Sequence, residues 1–504
     1  MQPQGSKLVI KFEYTYAQLP ERFFQRLGPT RFSEPSLLKW NHNLAADLGL
    51  GQLDLSDSEL ADIFSGKSLP QGARPIAQAY SGHQFEVFNP NLGDGRAMLL
   101  GEIIDRSGNR RDVHLKGSGP TQYSRRGDGL ANLAAVIREY ILGEALYGLK
   151  IPCSRALAII STGESVIRET QQPGAILVRV ASSHIRIGTF EHFVARNDLA
   201  GAKTLMNYAI DRHFPELEKN KNGYLEFLER VVELQASLVA NWLSMGFIHG
   251  VMNTDNTFVS GETIDFGPCA FLEEFDSGAV FSSIDRTGRY AFGNQPGIMK
   301  WNLSKLATCI ESVLGADGEV LNGEANRIVD HFEVAFEKFH LRNLANKFGF
   351  VEVKSEERSL ITEFFEILQT KKMDFTLSFR CLGYSLDEEN REAWNLNQYS
   401  SDLSQKFESR EVKNWLARWK AQIAASAQSV SEVKEGILRF NPAVIPRNHL
   451  VEKTIVKVLQ NHDWNYFSQL VDHISNPYLE RSSSLEFMRP ASEGEKVLQT
   501  FCNT

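Results

Sequence analysis

The stretch from Phe247 to Gly267, FIHGVMNTDNTFVSGETIDFG, restricts the fold of this chain more than any other feature. It holds one His, two Asn and two Asp within a short span. Two acidic clusters, Asp255-Asn256 and Asp265-Phe266-Gly267, flank the short runs Thr257–Ser260 and Glu262–Ile264. Ser260-Gly261 between those runs predicts a tight hairpin. A hairpin of that length sets Asn256 beside Asp265 at one end. An amide oxygen and a carboxylate converging there suit a hard divalent cation such as a nucleotide-bound Mg²⁺.

This layout resembles the catalytic core of protein kinases: a loop His, a metal-binding Asn, a hairpin, then Asp-Phe-Gly. His249 and Asn256 keep the spacing of the kinase loop H-R-D-x-x-x-x-N. The Arg position, however, is Gly250, and the base position is Val251, which cannot accept a proton. Asp255, directly before Asn256, is the nearby carboxylate able to serve as general base. The expectation is a kinase-like fold with altered chemistry.

With 504 residues, 42% of them hydrophobic, the chain can bury a large core and is expected to form two or three lobes. A net charge of −8 argues against nucleic acid or an anionic membrane as a main partner. The most apolar stretch, Ala236 to Ile248, is too short to span a bilayer. The first residues lack the apolar core of a signal peptide and the pattern of a transit peptide, which predicts a cytoplasmic protein. Cys153, Cys269, Cys309, Cys381 and Cys502 are scattered and form no CxxC pair, so zinc, iron–sulfur and disulfide-framework readings fall away.

Residues 1–74 read as a mostly helical extension, with a capped helix starting at Pro35-Ser36 and stopping at Gly49. Ser65-Gly66-Lys67-Ser68 looks like the end of a P-loop, but position 61 is Ala and no strand precedes it, so a plain loop is expected. Residues 75–182 read as a small antiparallel β lobe. Gly93 and Gly95 allow close backbone approach to a ligand, and Arg96 can neutralise a phosphate. Ala97–Ile104 and Asp112–Lys116 form a hairpin that ends on Lys116.

A helix from about Leu130 to Leu149 carries one apolar stripe and Glu139, the expected partner of Lys116. Asp128-Gly129 at its start either presents N–H groups to a phosphate or merely caps the helix. Runs at Ala156–Ser161 and Ala175–Ala181 complete the sheet. Arg179 and Arg186 bracket the expected hinge, where two guanidinium groups suit a triphosphate. Residues 183–330 read as a helical lobe holding the catalytic loop and the Asp-Phe-Gly turn. Residues 331–504 read as a further helical region; later helices are expected at Leu303–Leu314, Gly323–Phe348, Glu356–Thr370 and Asp402–Ser426.

Several longer motifs are similar to the selenoprotein O family. They include Tyr80-Ser-Gly-His-Gln-Phe85, Leu115-Lys-Gly-Ser-Gly-Pro-Thr121, Arg125-Arg-Gly-Asp-Gly129 and His249-Gly-Val-Met-Asn-Thr-Asp-Asn256. Ile264-Asp-Phe-Gly-Pro268, Gly288-Arg-Tyr290, Trp301-Asn-Leu303 and Asn441-Pro-Ala-Val-Ile-Pro-Arg-Asn-His449 extend the likeness over nearly the whole chain.

The resemblance implies a kinase-like α+β fold that binds ATP inverted and transfers AMP to Ser, Thr or Tyr hydroxyls of proteins, itself included. It further implies nucleotide contacts from Gly93, Gly95, Arg96, Lys116, Asp128, Gly129, Arg179, Arg186 and Asp265. Asn256 and Asp265 would hold Mg²⁺ (or Mn²⁺), with Asp255 as base and Glu139 orienting Lys116. Many relatives carry selenocysteine third from the C-terminus; here Cys502 stands there, a possible redox thiol with Cys269 as a conceivable partner. A true kinase and an inactive nucleotide-binding scaffold are the competing readings.

Overall fold

The computed structural model describes residues 10–70, 72–386 and 398–501. Its first lobe is built on one mixed-length antiparallel sheet. In chain order the strands are β1 (Phe24–Arg26), β2 (Ser36–Trp40), β3 (Ile76–Gln78), the hairpin β4 (Gly82–Gln84) and β5 (Val87–Asn89), β6 (Ala97–Ile104), β7 (Arg110–Lys116), β8 (Ala131–Asn132), β9 (Arg155–Ile167) and β10 (Gln171–Ala181). Their order across the sheet is β1-β3-β6-β7-β10-β9-β2, with β8 added to β10 and the β4–β5 hairpin standing apart. β6 is buried at every position but the last, and β7 at every position after its first two.

One face of the sheet is covered by α1 (His42–Asp47) and α2 (Asp57–Ser65), through Leu44, Leu60 and Phe64 against Leu100, Val113 and Ile176. The other face takes α3 (Leu133–Gly148), the helix that carries Glu139.

Two local expectations are corrected here. The segment expected as mostly helical also supplies β1 and β2, because the edge of β9 offers unpaired backbone to Ser36–Trp40. The helix expected from Pro35 therefore starts only at His42, where the Asn41 side chain accepts from the Leu44 N–H at 3.1 Å. At residues 65–68 the expected plain loop is found: Gly66 takes φ +82° and ends α2.

The second lobe is helical. It comprises α4 (Ile187–Val194), α5 (Leu199–His213), α6 (Lys221–Met245), α7 (Gln295–Ala316) and α8 (Glu324–Phe348). Gly246, at φ +73°, stops α6 and turns the chain into β11 (Phe247–Ile248), which pairs with β12 (Ala270–Phe271) on the far side of the catalytic loop. That small ladder fixes both ends of the stretch 249–269. Beyond it lie α9 (Ser355–Lys371), α10 (Phe375–Ser385), α11 (Ser401–Phe407), α12 (Arg410–Ala424), α13 (Val430–Phe440), α14 (Asn448–Asn461) and α15 (Trp464–Ser475). The helix expected over Asp402–Ser426 is two, broken at Glu408-Ser409.

These last helices explain why α3 is buried nearly all round rather than along one stripe. α14 and α15 cover the side turned away from the sheet, with Tyr140, Ile141, Leu450 and Phe467 in one core. The turn-rich Asn441–His449 segment has a structural task here. Arg447, 1% exposed, donates to both Asp374 carboxylate oxygens (2.7 and 3.1 Å) and to Glu273, tying α14 to the segment that follows β12. The whole is a bilobal, protein-kinase-like α+β fold.

Candidate active site

A cavity of about 750 Å³ lies between the lobes and gathers the residues that the sequence singled out from well-separated segments. Lys116, the last residue of β7, donates from Nζ to Glu139 on α3 and to Asp265 Oδ1 at 2.8 Å. Arg179, on the neighbouring strand β10, donates to the same Asp265 oxygen at 2.8 Å. Arg186 caps the start of α4 and reaches within 3.6 Å of Asp265 Oδ2, while its Nη1 donates to the Asp255 backbone carbonyl at 2.6 Å. Burial alone would raise the Asp265 pKa, but Lys116, Arg179 and Arg186 outweigh it and hold the carboxyl well below the usual carboxylate range. Asp265 also sits at φ +61°, a left-handed conformation unusual for a non-glycine residue and common at functional sites.

The catalytic loop is arranged around a neutral histidine. His249 donates from Nε2 to the Ile264 carbonyl (2.9 Å), and its Nδ1 accepts from the Val251 N–H. Burial lowers its pKa to about 4, so it staples the loop and carries no charge. Val251 lines the cavity at the place where kinases put the base. Asp255 lies on a short turn, Thr254–Asn256, with its side chain at the cavity wall. Burial pushes its pKa up to about 6 against the opposing pull of Arg186. Its Oδ2 accepts from Gln84 Nε2 at 3.1 Å, and its Oδ1 is buried without a partner.

The β4–β5 hairpin is what braces this turn, and its role was not legible in the sequence although its residues were quoted there. A Cβ on Gly82 would meet Asp255 Cβ, N and Oδ1 at 3.0 Å, so a side chain there would press on Asp255, and glycine allows the close approach. The His83 N–H donates to Thr254 Oγ1 at 2.7 Å, and the Phe85 N–H donates to Tyr290 Oη at 3.2 Å. Tyr290 Oη in turn donates to Asn253 Oδ1 at 2.6 Å.

Other contributors also escaped the sequence reading. Asp94, between Gly93 and Gly95, accepts from the Gln78 N–H (2.9 Å) and contacts His114 (3.2 Å), which stacks on His184. Arg138, one residue before Glu139, donates to the carbonyls of Gly267 (2.9 Å) and Cys269 (2.8 Å) and so pins the Asp-Phe-Gly turn to α3. The signal for Asp94 lay in its two flanking glycines; for Arg138 there was none.

Gly93, Gly95, Arg96, Asp128 and Gly129 line the other end of the cavity. Gly93 (φ +130°) has Tyr123 where a Cβ would be, which locks this loop against residues 121–129. Asp128 neither caps α3 nor opens it. The cap is Asn132, whose Oδ1 accepts from the Ala135 N–H at 2.8 Å, and Asp128 instead pairs with Arg168 at 2.7 Å. The hairpin expected over Thr257–Ile264 has its turn, closed by the Gly261 N–H on the Phe258 carbonyl, but its legs do not pair with each other. Phe258 bridges to Arg186 and Thr263 to Cys153, because those neighbours offer backbone partners that the short legs cannot give each other. Asn256 and Asp265 nevertheless face the same cavity.

Among the described residues no group of three or more His, Cys, Asp or Glu could hold a metal by itself. The two-oxygen set still fits a Mg²⁺ that arrives on a nucleotide, since such ions take one or two protein oxygens and fill the rest with phosphate and water. Asn256 Nδ2 donates to the Val251 carbonyl (3.1 Å), leaving Oδ1 to accept. Of the Asp265 oxygens, Oδ1 carries the two hydrogen bonds from Lys116 and Arg179, while Oδ2 has only the Arg186 guanidinium at 3.6 Å.

Cys502 lies outside the described residues, so its expected redox role and its pairing with Cys269 are not addressed by the fold. Cys269 is buried, its thiol contacts the Phe266 carbonyl at 3.1 Å, and burial pushes its pKa up to about 12. The chain before Cys502 crosses the site: Thr500 donates to the Pro268 carbonyl (2.5 Å), and Phe501 lines the cavity. Among the described residues no helix is long and apolar enough to cross a membrane.

Fold and site together define a protein with a protein-kinase-like fold in which the carboxylate of the loop after β11 stands at 255 instead of 251. The family model "Protein adenylyltransferase SelO" matches residues 6–475, and the chain belongs to that family. It is 45% identical over 494 residues to the protein nucleotidyltransferase YdiU of Rhizobium etli, covering 98% of this chain and 97% of that one. The protein of the same name from Bradyrhizobium sp. (strain ORS 278) is 46% identical over 497 residues, covering 98% and 99%. A solved structure described as ROP2 from Toxoplasma gondii, a virulence factor with a protein-kinase fold and no enzymatic activity, aligns over 71% of this chain and 84% of that one. Its identity is 10% and its TM-score 0.24, too weak a likeness to argue from.

Proposed function

We propose that this protein transfers AMP from Mg²⁺-bound ATP to a hydroxyl of a protein Ser, Thr or Tyr, itself included, and releases pyrophosphate. The observation that carries the reading is that Asp255, whose buried Oδ1 has no hydrogen-bond partner, lines the same cavity as Lys116, Arg179 and Arg186. A carboxylate set among cations at the wall of one cavity is placed to take a proton while phosphate charge is stabilised alongside it.

In this mechanism Lys116, held by Glu139, and the two arginines bind the triphosphate and draw charge toward the departing pyrophosphate. Asn256 and Asp265 would hold the divalent ion, Mg²⁺ or Mn²⁺, which when bound supplies further positive charge to the phosphate oxygens. Asp255 takes the proton of the acceptor hydroxyl as its oxygen bonds to the α-phosphorus and the bond to the pyrophosphate oxygen breaks. Gly93, Gly95, Arg96, Asp128 and Gly129 form the wall for the remainder of the nucleotide. Moving the base from 251 to 255 accords with attack at the α-phosphorus and an inverted nucleotide.

Labelled ATP separates this reading from phosphotransfer. Label from the α position is expected to enter protein with pyrophosphate released, and γ label is expected to stay out of protein. Incorporation of γ label would make the protein a kinase, and incorporation of neither would make it a binding scaffold.

Gln84 follows from the same reading as the group that orients the base. Gln84→Leu is expected to lower kcat for AMP transfer about tenfold with KM for ATP unchanged, because binding groups stay in place while the carboxylate loses its angle. Steady-state kinetics check this, and a rise in KM with kcat intact would remove Gln84 from that role.

A further inference from the structure

A second cavity, of about 680 Å³, abuts the nucleotide cavity and shares Phe85 and Ile284 with it. One wall is the tip of the β4–β5 hairpin, where Phe85 (φ +49°) and Glu86 (φ +68°) form the turn. The other wall is the loop 284–289 and the start of α7, including Arg286, Arg289 and Ile298. The two walls are joined at the base of the groove by the Phe85–Tyr290–Asn253 hydrogen-bond chain, so its inner end lies one residue from Gln84 and its contact with Asp255.

The outer loop is held in shape from within. The buried carboxylate of Asp285 accepts from the N–H groups of Arg289 (3.0 Å) and Tyr290 (2.7 Å), and Asn294 donates to the Gly288 carbonyl at 2.8 Å. Arg289 is committed to Glu86 across the groove. Arg286 is exposed, and among the described residues no hydrogen bond, ion pair or ring contact engages it. Beside it Ile284 is 52% exposed, an apolar surface next to an unspent cation. Two arginines against one glutamate give this groove a positive balance on a chain whose net charge is −8.

We infer that this groove is the acceptor subsite, taking a protein segment that carries an acidic side chain near the hydroxyl to be modified. The inference rests on the AMP-transfer reading and names its substrate chemistry. Continuity with the nucleotide cavity delivers a segment lying in the groove toward Asp255. Arg286 supplies the charge that selects it, and Ile284 with Phe85 the apolar contact.

The test uses the full chain, α-labelled ATP, and two sets of short peptides with a single Ser, Thr or Tyr in an Ala/Gly context, flanked by Asp in one set and by Lys in the other. Wild type is expected to favour the Asp set by about tenfold in kcat/KM, with Arg286→Glu reversing the preference and KM for ATP unmoved in both. Arg286 is exposed and has no partner among the described residues, so the variant is expected to keep the fold. Equal use of the two sets, a preference that survives Arg286→Glu, or label entering the chain itself but neither peptide set would overturn the subsite. If no α label enters any protein or peptide and no pyrophosphate appears, the AMP-transfer reading itself has failed, and that outcome is distinct from the others.

Discussion

Asp255→Asn is expected to reduce the rate of AMP transfer by about 10²- to 10⁴-fold, the usual contribution of a positioned general base. Asn keeps the size of the side chain and an oxygen to accept from Gln84, so the hairpin brace at 3.1 Å is preserved. The cationic groups proposed to meet the triphosphate lie on β7, β10 and the start of α4, not on the turn at 254–256. Nucleotide affinity is therefore expected to stay within about twofold, which titration calorimetry reads separately from turnover. A scaffold without chemistry predicts no change on either axis. A variant that turns over within about threefold of wild type would dismiss Asp255 as the base.

The contrast between what the sequence disclosed and what it hid has a physical origin. Ala97–Ile104 was readable to the residue because a strand buried on both faces is a continuous apolar run bounded by turn residues. Lys116 and Glu139 were readable because the hairpin-then-helix order places them by connectivity alone. β2 was missed since Ser36–Trp40 has no strand pattern of its own and takes its conformation from the edge of β9. Asn132 displaced Asp128 as the cap because two residues of β8 pair with β10 before the helix can start. Gln84 is the sharpest case: nothing in the Tyr80–Phe85 motif says that its amide will reach Asp255, since the two are brought together only by the packing of β4 on the turn at 254–256. Local signals place elements; contacts between distant segments must be seen.

Asp265→Ala carries the other large effect, and its sign depends on what is bound. In the wild-type site the Asp265 carboxylate is set among Lys116, Arg179 and Arg186, with Glu139, Asp94 and Asp255 as the other acids nearby. Removing it takes away the carboxylate proposed for the divalent ion, and AMP transfer is expected to fall by about 10³-fold, a loss of several kcal/mol of transition-state stabilisation. The same change removes a negative charge that repels a free triphosphate and leaves three cations without their shared counter-ion. Metal-free ATP is therefore expected to bind the variant at least as tightly as it binds wild type, while added Mg²⁺ no longer strengthens binding. Calorimetry with and without the metal separates the two effects. A variant that loses metal-free ATP binding as well would show that Asp265 builds the pocket instead of holding the ion. Mg²⁺-dependent transfer persisting in Asp265→Ala would move the metal to other ligands altogether.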